Sequence, residues 1–253
     1  MHRSTRSLLL ALLGTVALAA TSAMAQPEGG NGITRLLVTE AHVKPEMVDE
    51  WLALQRDQVV PALKKAGIKQ YTVYQTLVGE ASAFVIVRPL PSFGEFNGPD
   101  PLERALGATA AAALRSKLGD CLTSMHSRIE NSQNEFFLDP GPAKTLFVSR
   151  YRAMPGKSRD YMNFVRAEMM PPMRQAQQND TFAGLSVTVS VQGGEPGIIT
   201  LNMFYDDFAP LDGPPPIAKT LGPEGTAAFL VKGAGLINQL DQSILKRLPE
   251  QSF

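Results

Sequence analysis

The sequence is poor in the residue types from which reactive and metal-binding sites are built. Its 253 residues contain one cysteine, Cys121, so no disulfide can form within the chain. Of its three histidines, only His42 and His126 lie beyond residue 25. The Cys-x-x-Cys, His-Glu-x-x-His, Gly-x-Ser-x-Gly and phosphate-loop motifs and the Asp-x-Asp-x-Asp-Gly calcium loop are all missing. These gaps argue against zinc, calcium, serine-hydrolase and nucleotide sites, and they predict a protein without a metal or cofactor.

Charge of neither sign is in excess. The chain has 24 Lys and Arg residues against 24 Asp and Glu residues, and its basic residues form no block. Nucleic acid is therefore not an expected partner, because proteins that bind it carry a basic patch. Hydrophobic residues make up 44% of the chain, which is enough for a stable core without disulfides at this length.

The first 25 residues have the pattern of a bacterial secretory signal peptide. Arg3 and Arg6 precede an apolar run over residues 8–20, and residues 23–25, ending in Ala25, form a small-x-small cleavage site. The run is short for a transmembrane span, which is the alternative interpretation. The sequence thus predicts cleavage near Ala25, no stable membrane anchor, and a periplasmic or secreted mature protein.

Beyond residue 32 the sequence repeats, first at a spacing of 110 positions and then at 115. Pairs at the first spacing include Pro45 with Pro155, Trp51 with Tyr161, Arg56 with Arg166, and Pro61 with Pro171. Pairs at the second include Phe93 with Phe208, Gly107 with Gly222, and Ile129 with Ile244. A single register change that keeps all these matches indicates a tandem duplication of a domain-sized unit. The alternative is two unrelated segments that share a helical periodicity.

Each half is predicted to run strand, helix, strand, strand, helix, strand. The ranges predicted for the first half are 33–43, 46–66, 69–78, 81–88, 102–125 and 129–138. Those predicted for the second half are 145–152, 158–177, 182–192, 198–205, 223–240 and 243–248. Pro61 and Pro171 fall inside the first helix of each half and are expected to disrupt it.

This βαββαβ order is that of a ferredoxin-like unit, which places two helices on one face of a four-stranded antiparallel sheet. The other sheet face would be apolar and exposed unless the halves packed together. The sequence therefore predicts an α+β fold in which two ferredoxin-like repeats pack sheet to sheet as an intrachain α+β barrel. The repeats are residues 33–139 and 145–253, with a flexible lead-in at 26–32 and a linker at 140–144.

A short motif in the second half, Tyr151-x-x-x-Pro155-Gly156-Lys157 followed by Tyr161 and Phe164, has a weaker first-half counterpart in His42-x-x-Pro45-Glu46. With the doubled element order, this motif resembles the dimeric α+β barrel superfamily, especially its NIPSNAP-like and antibiotic-biosynthesis-monooxygenase-like members. The resemblance implies one barrel made from two ferredoxin-like units, and a small molecule bound between the sheets or between sheet and helices. It also implies that some members are metal-free enzymes and that others hold haem.

The first strand of each half carries the most suggestive polar residues. Glu40 and His42 share one strand face, and the matching face of the second copy carries Arg150 and Arg152. Packing of the repeats about a pseudo-twofold axis is expected to bring these four residues together, and surplus arginine would favour an acidic ligand. The alternative is that all four lie at strand ends and contact water or each other.

Trp51 and His126 are two further candidates for ligand contact, because the resemblance implies that aromatic and histidine side chains line the pocket. Trp51 also falls on the apolar face of its helix, which is typical of core packing. His126 follows a predicted helix, where a histidine cation is favourable in any case.

Three functions remain open on the sequence alone. The first is an exported protein that binds a small, largely apolar molecule, either with or without an acidic group. The second is a cofactor-independent, oxygenase-like enzyme, and the third is a structural or interaction protein whose barrel is filled with side chains. The absence of a catalytic triad and the scarcity of histidine favour the first and third. The sequence also leaves a homo-oligomer open.

Overall fold

The computed structural model describes residues 32–80 and 82–253, and the signal-peptide prediction falls on residues outside them. The strands are β1 Ile33–Val43, β2 Thr72–Val78, β3 Ala83–Pro89, β4 Leu122–Leu138, β5 Thr145–Ala153, β6 Gly184–Gln192, β7 Ile198–Tyr205 and β8 Ile237–Arg247. The helices are α1 Val48–Leu54, α2 Val60–Lys65, α3 Pro101–Leu106, α4 Ala108–Asp120, α5 Ser158–Phe164, α6 Met170–Gln178 and α7 Pro216–Gly233.

All eight strands form one closed antiparallel barrel in the order β1-β3-β2-β8-β5-β7-β6-β4. The first half supplies the sheet β4-β1-β3-β2 and the second half the sheet β8-β5-β7-β6, each in ferredoxin-like order. The two sheets join at their edges, where β2 pairs with β8 and β4 pairs with β6. The predicted α+β barrel of two ferredoxin-like repeats is therefore confirmed, and its closure leaves no free sheet edge among the described strands.

The closed order fixes where equivalent residues lie. Neighbouring strands are antiparallel throughout the barrel, and β1 and β5 are four places apart in it. These two strands therefore run in the same direction on opposite walls. Residues of β1 and their counterparts in β5 consequently lie at the same level and face each other across the interior.

The helices cover the outside of the barrel, with a separate hydrophobic core for each half. In the first half, Trp51 and Leu54 of α1 pack with Phe84 of β3. In the second, Tyr161 of α5 packs with Leu185 of β6, and Phe136 at the far end of β4 joins the same core. Alternation along each strand sends one set of side chains to these cores and the other to the barrel interior. In the part of the chain that the structure describes, no helix is long and apolar enough to cross a membrane.

A π turn interrupts the first helix of each half at the same place in the repeat. The turns are Gln55–Val59 and Val165–Met169, each followed by a helix with proline in its first turn. Proline cannot donate a hydrogen bond to the carbonyl four residues earlier, and for Pro61 and Pro171 that carbonyl lies within the π turn. In a π turn the backbone hydrogen bonds join residues five apart, so the bond that proline cannot donate is not required. The disruption predicted at both prolines is confirmed.

The second helix of each half ends earlier than predicted. The helices predicted over 102–125 and 223–240 end at Asp120 and Gly233, and β4 and β8 begin at Leu122 and Ile237. The missed residues pair with the carboxyl-terminal part of the first strand of their own half. This non-local pairing overrides the helical spacing of the apolar residues, which is only a weak local preference.

Candidate ligand cavity

The barrel interior holds a cavity of about 400 Å³. All eight strands contribute to its lining, through the side chains that point away from the helices. The cavity therefore lies between the two sheets, which settles the alternative left open by the sequence. Its volume falls within the range of small-molecule sites, roughly 300–1,000 Å³.

Apolar side chains make up much of the cavity wall. They are Leu36, Val38, Tyr74, Val85, Val87, Phe137, Leu146, Val148, Phe204 and Leu245. Charged side chains gather toward the carboxyl ends of β1 and β5, where Glu40, His42 and Arg150 lie. The cavity thus combines a largely apolar wall with a charged region at one level of the barrel.

Arg128 of β4 binds two carboxylates and is the centre of this charged region. Its Nη1 donates to Glu40 Oε1 over 2.5 Å, and its Nε donates to Glu130 Oε1 over 2.6 Å. The second oxygen of Glu130 accepts a hydrogen bond from the Thr188 hydroxyl of β6. The Arg128 and Glu130 side chains are only 10% and 4% exposed, whereas Glu40 is 30% exposed and faces the cavity. We call these three residues, Glu40, Arg128 and Glu130, the interior triad.

The surroundings keep Glu40 ionised. Burial by itself raises the pKa of this carboxyl, but Arg128 opposes burial through its charge and its hydrogen bond. Arg150 and His42 add to the effect, and the pKa of Glu40 lies below its usual range. Burial lowers the pKa of Arg128, while Glu130 and Glu40 raise it to above its usual value. The interior triad thus places one guanidinium between two carboxyl groups.

Arg150 stands on the wall opposite Glu40 and has a different partner from the one expected. Its Nη1 lies 3.3 Å from Asp241 Oδ2, on the neighbouring strand β8. Glu40 and Arg150 were expected to lie close together across the interior. The charge of Arg150 does act on Glu40, but the side chain that forms a direct hydrogen bond with Glu40 is Arg128. His42 also lines the cavity, with Nδ1 3.0 Å from Glu80 Oε1.

The other three candidates from the sequence do not line the cavity. Arg152 pairs with Glu195 on the exposed outside, and His126 is exposed on β4 rather than at a helix end. Trp51 is 1% exposed and packs against Phe84 with ring centroids 4.5 Å apart, in the core beneath the helices. With Arg152 outside, carboxylates outnumber arginines in the lining, so the argument for an acidic ligand loses its basis.

Sequence reasoning missed Arg128 and Glu130. The strand was predicted to begin at Ile129, which placed Arg128 in a loop. The available signal was polar alternation, since His126, Arg128, Glu130, Ser132 and Asn134 follow one another with period two. Such alternation usually marks a solvent-facing strand face, and only the closed barrel turns this face inward.

The residues present do not fit a haem. Residues 145–253 contain no histidine, and the carboxylates of the cavity lining, which outnumber its arginines, would repel the two propionates of a haem. Among the described residues, no group of three or more His, Cys, Asp or Glu side chains is arranged to hold a metal ion.

The chain has the fold of a dimeric α+β barrel, formed here within a single chain. A protein from Lactobacillus acidophilus, provisionally assigned as a monooxygenase, superposes with a TM-score of 0.59 and 7% identity over 85% of this chain and 93% of that one. A similarly assigned protein from Fusobacterium nucleatum gives 0.58 and 10%, over 86% and 94%. An anthrone oxidase-like protein gives 0.56 and 11%, over 86% and 92%. No protein-family model and no curated protein matches the sequence. At these identities, the likeness shows a shared fold.

Proposed function

We propose that this protein binds a small, largely apolar molecule inside its barrel. The observation that supports the proposal is the cavity of about 400 Å³. Protein interiors are packed as densely as organic crystals, and empty space of this size is costly to maintain. Eight-stranded barrels are either filled by their own side chains or hold one small ligand, and this barrel is not filled. The filled-barrel alternative therefore has little support.

Filling the cavity tests this proposal. Val148 lines the cavity, and Val148→Phe should occupy much of the space that a ligand would use. We expect the affinity for the neutral fluorescent dye N-phenyl-1-naphthylamine to fall by about tenfold or more. The melting temperature should not fall in parallel, because the added ring fills existing space.

The matched control is Val231→Phe, which adds the same ring at an exposed position on α7. This variant should bind the dye as the wild type does. Dye binding that is equal in all three proteins would place the dye outside the barrel and contradict the proposal.

We infer from the first 25 residues that the protein acts after export. Protein recovered from the periplasm of a bacterial host is expected to begin at Gln26, because residues 23–25 form the cleavage site. N-terminal sequencing of that fraction gives the answer directly. An intact Met1 terminus there would contradict the inference.

An oxygenase-like activity is the second candidate. Two neighbours in fold are provisionally assigned as monooxygenases, and a third is described as anthrone oxidase-like. The observation in this chain that favours an enzyme is His42, which lines the cavity with a carboxylate at its Nδ1. Such a carboxylate favours the proton on Nδ1 and leaves Nε2 as the basic nitrogen. Oxygen uptake that is lost in His42→Gln, but not in His126→Ala, would favour this candidate.

A further inference from the structure

We propose that the molecule held in the barrel is an organic cation, with an ammonium or similar group at Glu40 and an apolar body in the rest of the cavity. This inference rests on the proposed binding function and names the chemical class of the ligand. It reverses the sequence-based expectation of an acidic ligand.

The cavity lining has more carboxylates than cationic side chains. The carboxylates are Glu40, Glu80, Glu130 and Asp241, and the arginines are Arg128 and Arg150. His42 stands beside Glu80 and, even when protonated, can offset only that one charge. A surplus of at least one negative charge therefore remains among the lining residues.

The surplus is located at Glu40. Glu130 has both oxygens in hydrogen bonds, to Arg128 and Thr188, and Asp241 has Arg150 as its ion-pair partner. Arg128 is shared between two carboxylates, so it neutralises only one of them. Glu40 is the most exposed member of the interior triad, so it is the carboxylate that a ligand in the cavity can contact.

A carboxylate at this position lacks the hydration that it would have in bulk water. Hydrogen bonding to Arg128 keeps it ionised, but the apolar wall around it favours a second cation nearby. An ammonium group can supply that charge and can donate hydrogen bonds to Glu40. The apolar side chains Val38, Val148 and Leu245 can then contact the body of the ligand.

The duplicated design makes this site one-sided. Glu40 pairs in register with His126, and the corresponding positions of the second half are Arg150 and Asp241, which pair in the same way. The order of acid and base is thus exchanged between the two walls. A cationic group is attracted to the Glu40 wall, whereas Arg150 and Asp241 on the opposite wall are paired with each other, so the ligand is expected to bind in a single orientation.

Three molecules with one skeleton and different charge test the proposal. They are 2-naphthylmethylamine, 2-naphthalenemethanol and 2-naphthoic acid, which are cationic, neutral and anionic at pH 7. Their affinities for the full-length mature protein can be measured by isothermal titration calorimetry. We expect the amine to bind about tenfold or more tightly than the alcohol, and the acid to bind weakest.

Two variants locate the effect at Glu40. Glu40→Gln removes the charge with little change in size and should bring the amine-to-alcohol affinity ratio close to one, while the alcohol still binds. Glu195→Gln removes an exposed carboxylate outside the cavity and should leave the ratio unchanged. If Glu40→Gln folds poorly, Asp241→Asn removes a second lining carboxylate and should also reduce the ratio.

The outcomes separate the two proposals. An alcohol that binds as tightly as the amine would overturn the cation proposal and leave the binding function in place. A preference for the amine that survives in folded Glu40→Gln would also overturn it, and if that variant does not fold, survival of the preference in Asp241→Asn would do so. If none of the three molecules binds, both the cation proposal and the apolar-ligand function are contradicted.

Discussion

Replacement of Arg128 by methionine is expected to lower the free energy of unfolding by about 3–5 kcal/mol. The side chain is almost fully buried and holds Glu40 and Glu130 at the same time. Methionine has a similar length and is apolar, so the main loss is the cation that two carboxylates share. Urea unfolding followed by circular dichroism at pH 7 measures the change.

Two comparisons make this result specific. Arg152→Met removes an arginine from an exposed pair with Glu195 and should cost about 0–1 kcal/mol. Combining Arg128→Met with Glu40→Gln and Glu130→Gln should recover part of the stability, because no unpaired carboxylate is then left in the interior. If Arg128→Met and Arg152→Met cost the same, the interior triad does not contribute to stability as described.

Trp51→Ala is expected to destabilise the protein by about 3–5 kcal/mol without weakening dye binding in the cavity. Trp51 is buried between α1 and the barrel and contacts Phe84, on the side of the sheet opposite to the cavity. Its removal leaves a void in that core, while the cavity wall remains. Thermal unfolding and titration with N-phenyl-1-naphthylamine on the same sample separate the two effects.

His126→Ala is the control for Trp51→Ala, because both residues are ligand candidates on the sequence alone. His126 is exposed, so its loss should change stability by about 0.5 kcal/mol or less. A large loss of dye affinity in folded Trp51→Ala would show that Trp51 contacts the ligand after all.

The order of elements could be predicted because the sequence contains it twice, once in each half. The prolines at 61 and 171, matched in the repeat, located the same helix disruption in both halves. The starts of β4 and β8 could not be predicted, because residues 122–126 become a strand only by pairing with β1. The local sequence there continues the helical spacing, and nothing in it specifies a distant partner.

The interior triad illustrates the same limit at the level of the site. The period of two along β1 and β5 placed Glu40, His42 and Arg150 on faces that do line the cavity. The repeat relation could not identify the partner of Glu40, since Arg128 corresponds to Ser243 in the second half and has no charged counterpart. Charge pairing across neighbouring strands depends on the register of those strands. The closed barrel fixes that register, and the local sequence does not.

The short connection between β4 and β5 has a consequence for dilute solution. A barrel built from two separate chains exists only while its protomer concentration exceeds the dissociation constant of the dimer. Here the two sheets belong to one chain, and the segment between Leu138 and Thr145 is a short tether that joins them. Such a tether gives each sheet an effective concentration of about a millimolar or more with respect to the other. Dilution therefore cannot separate the two sheets, and the barrel keeps its interior cavity however few molecules are present.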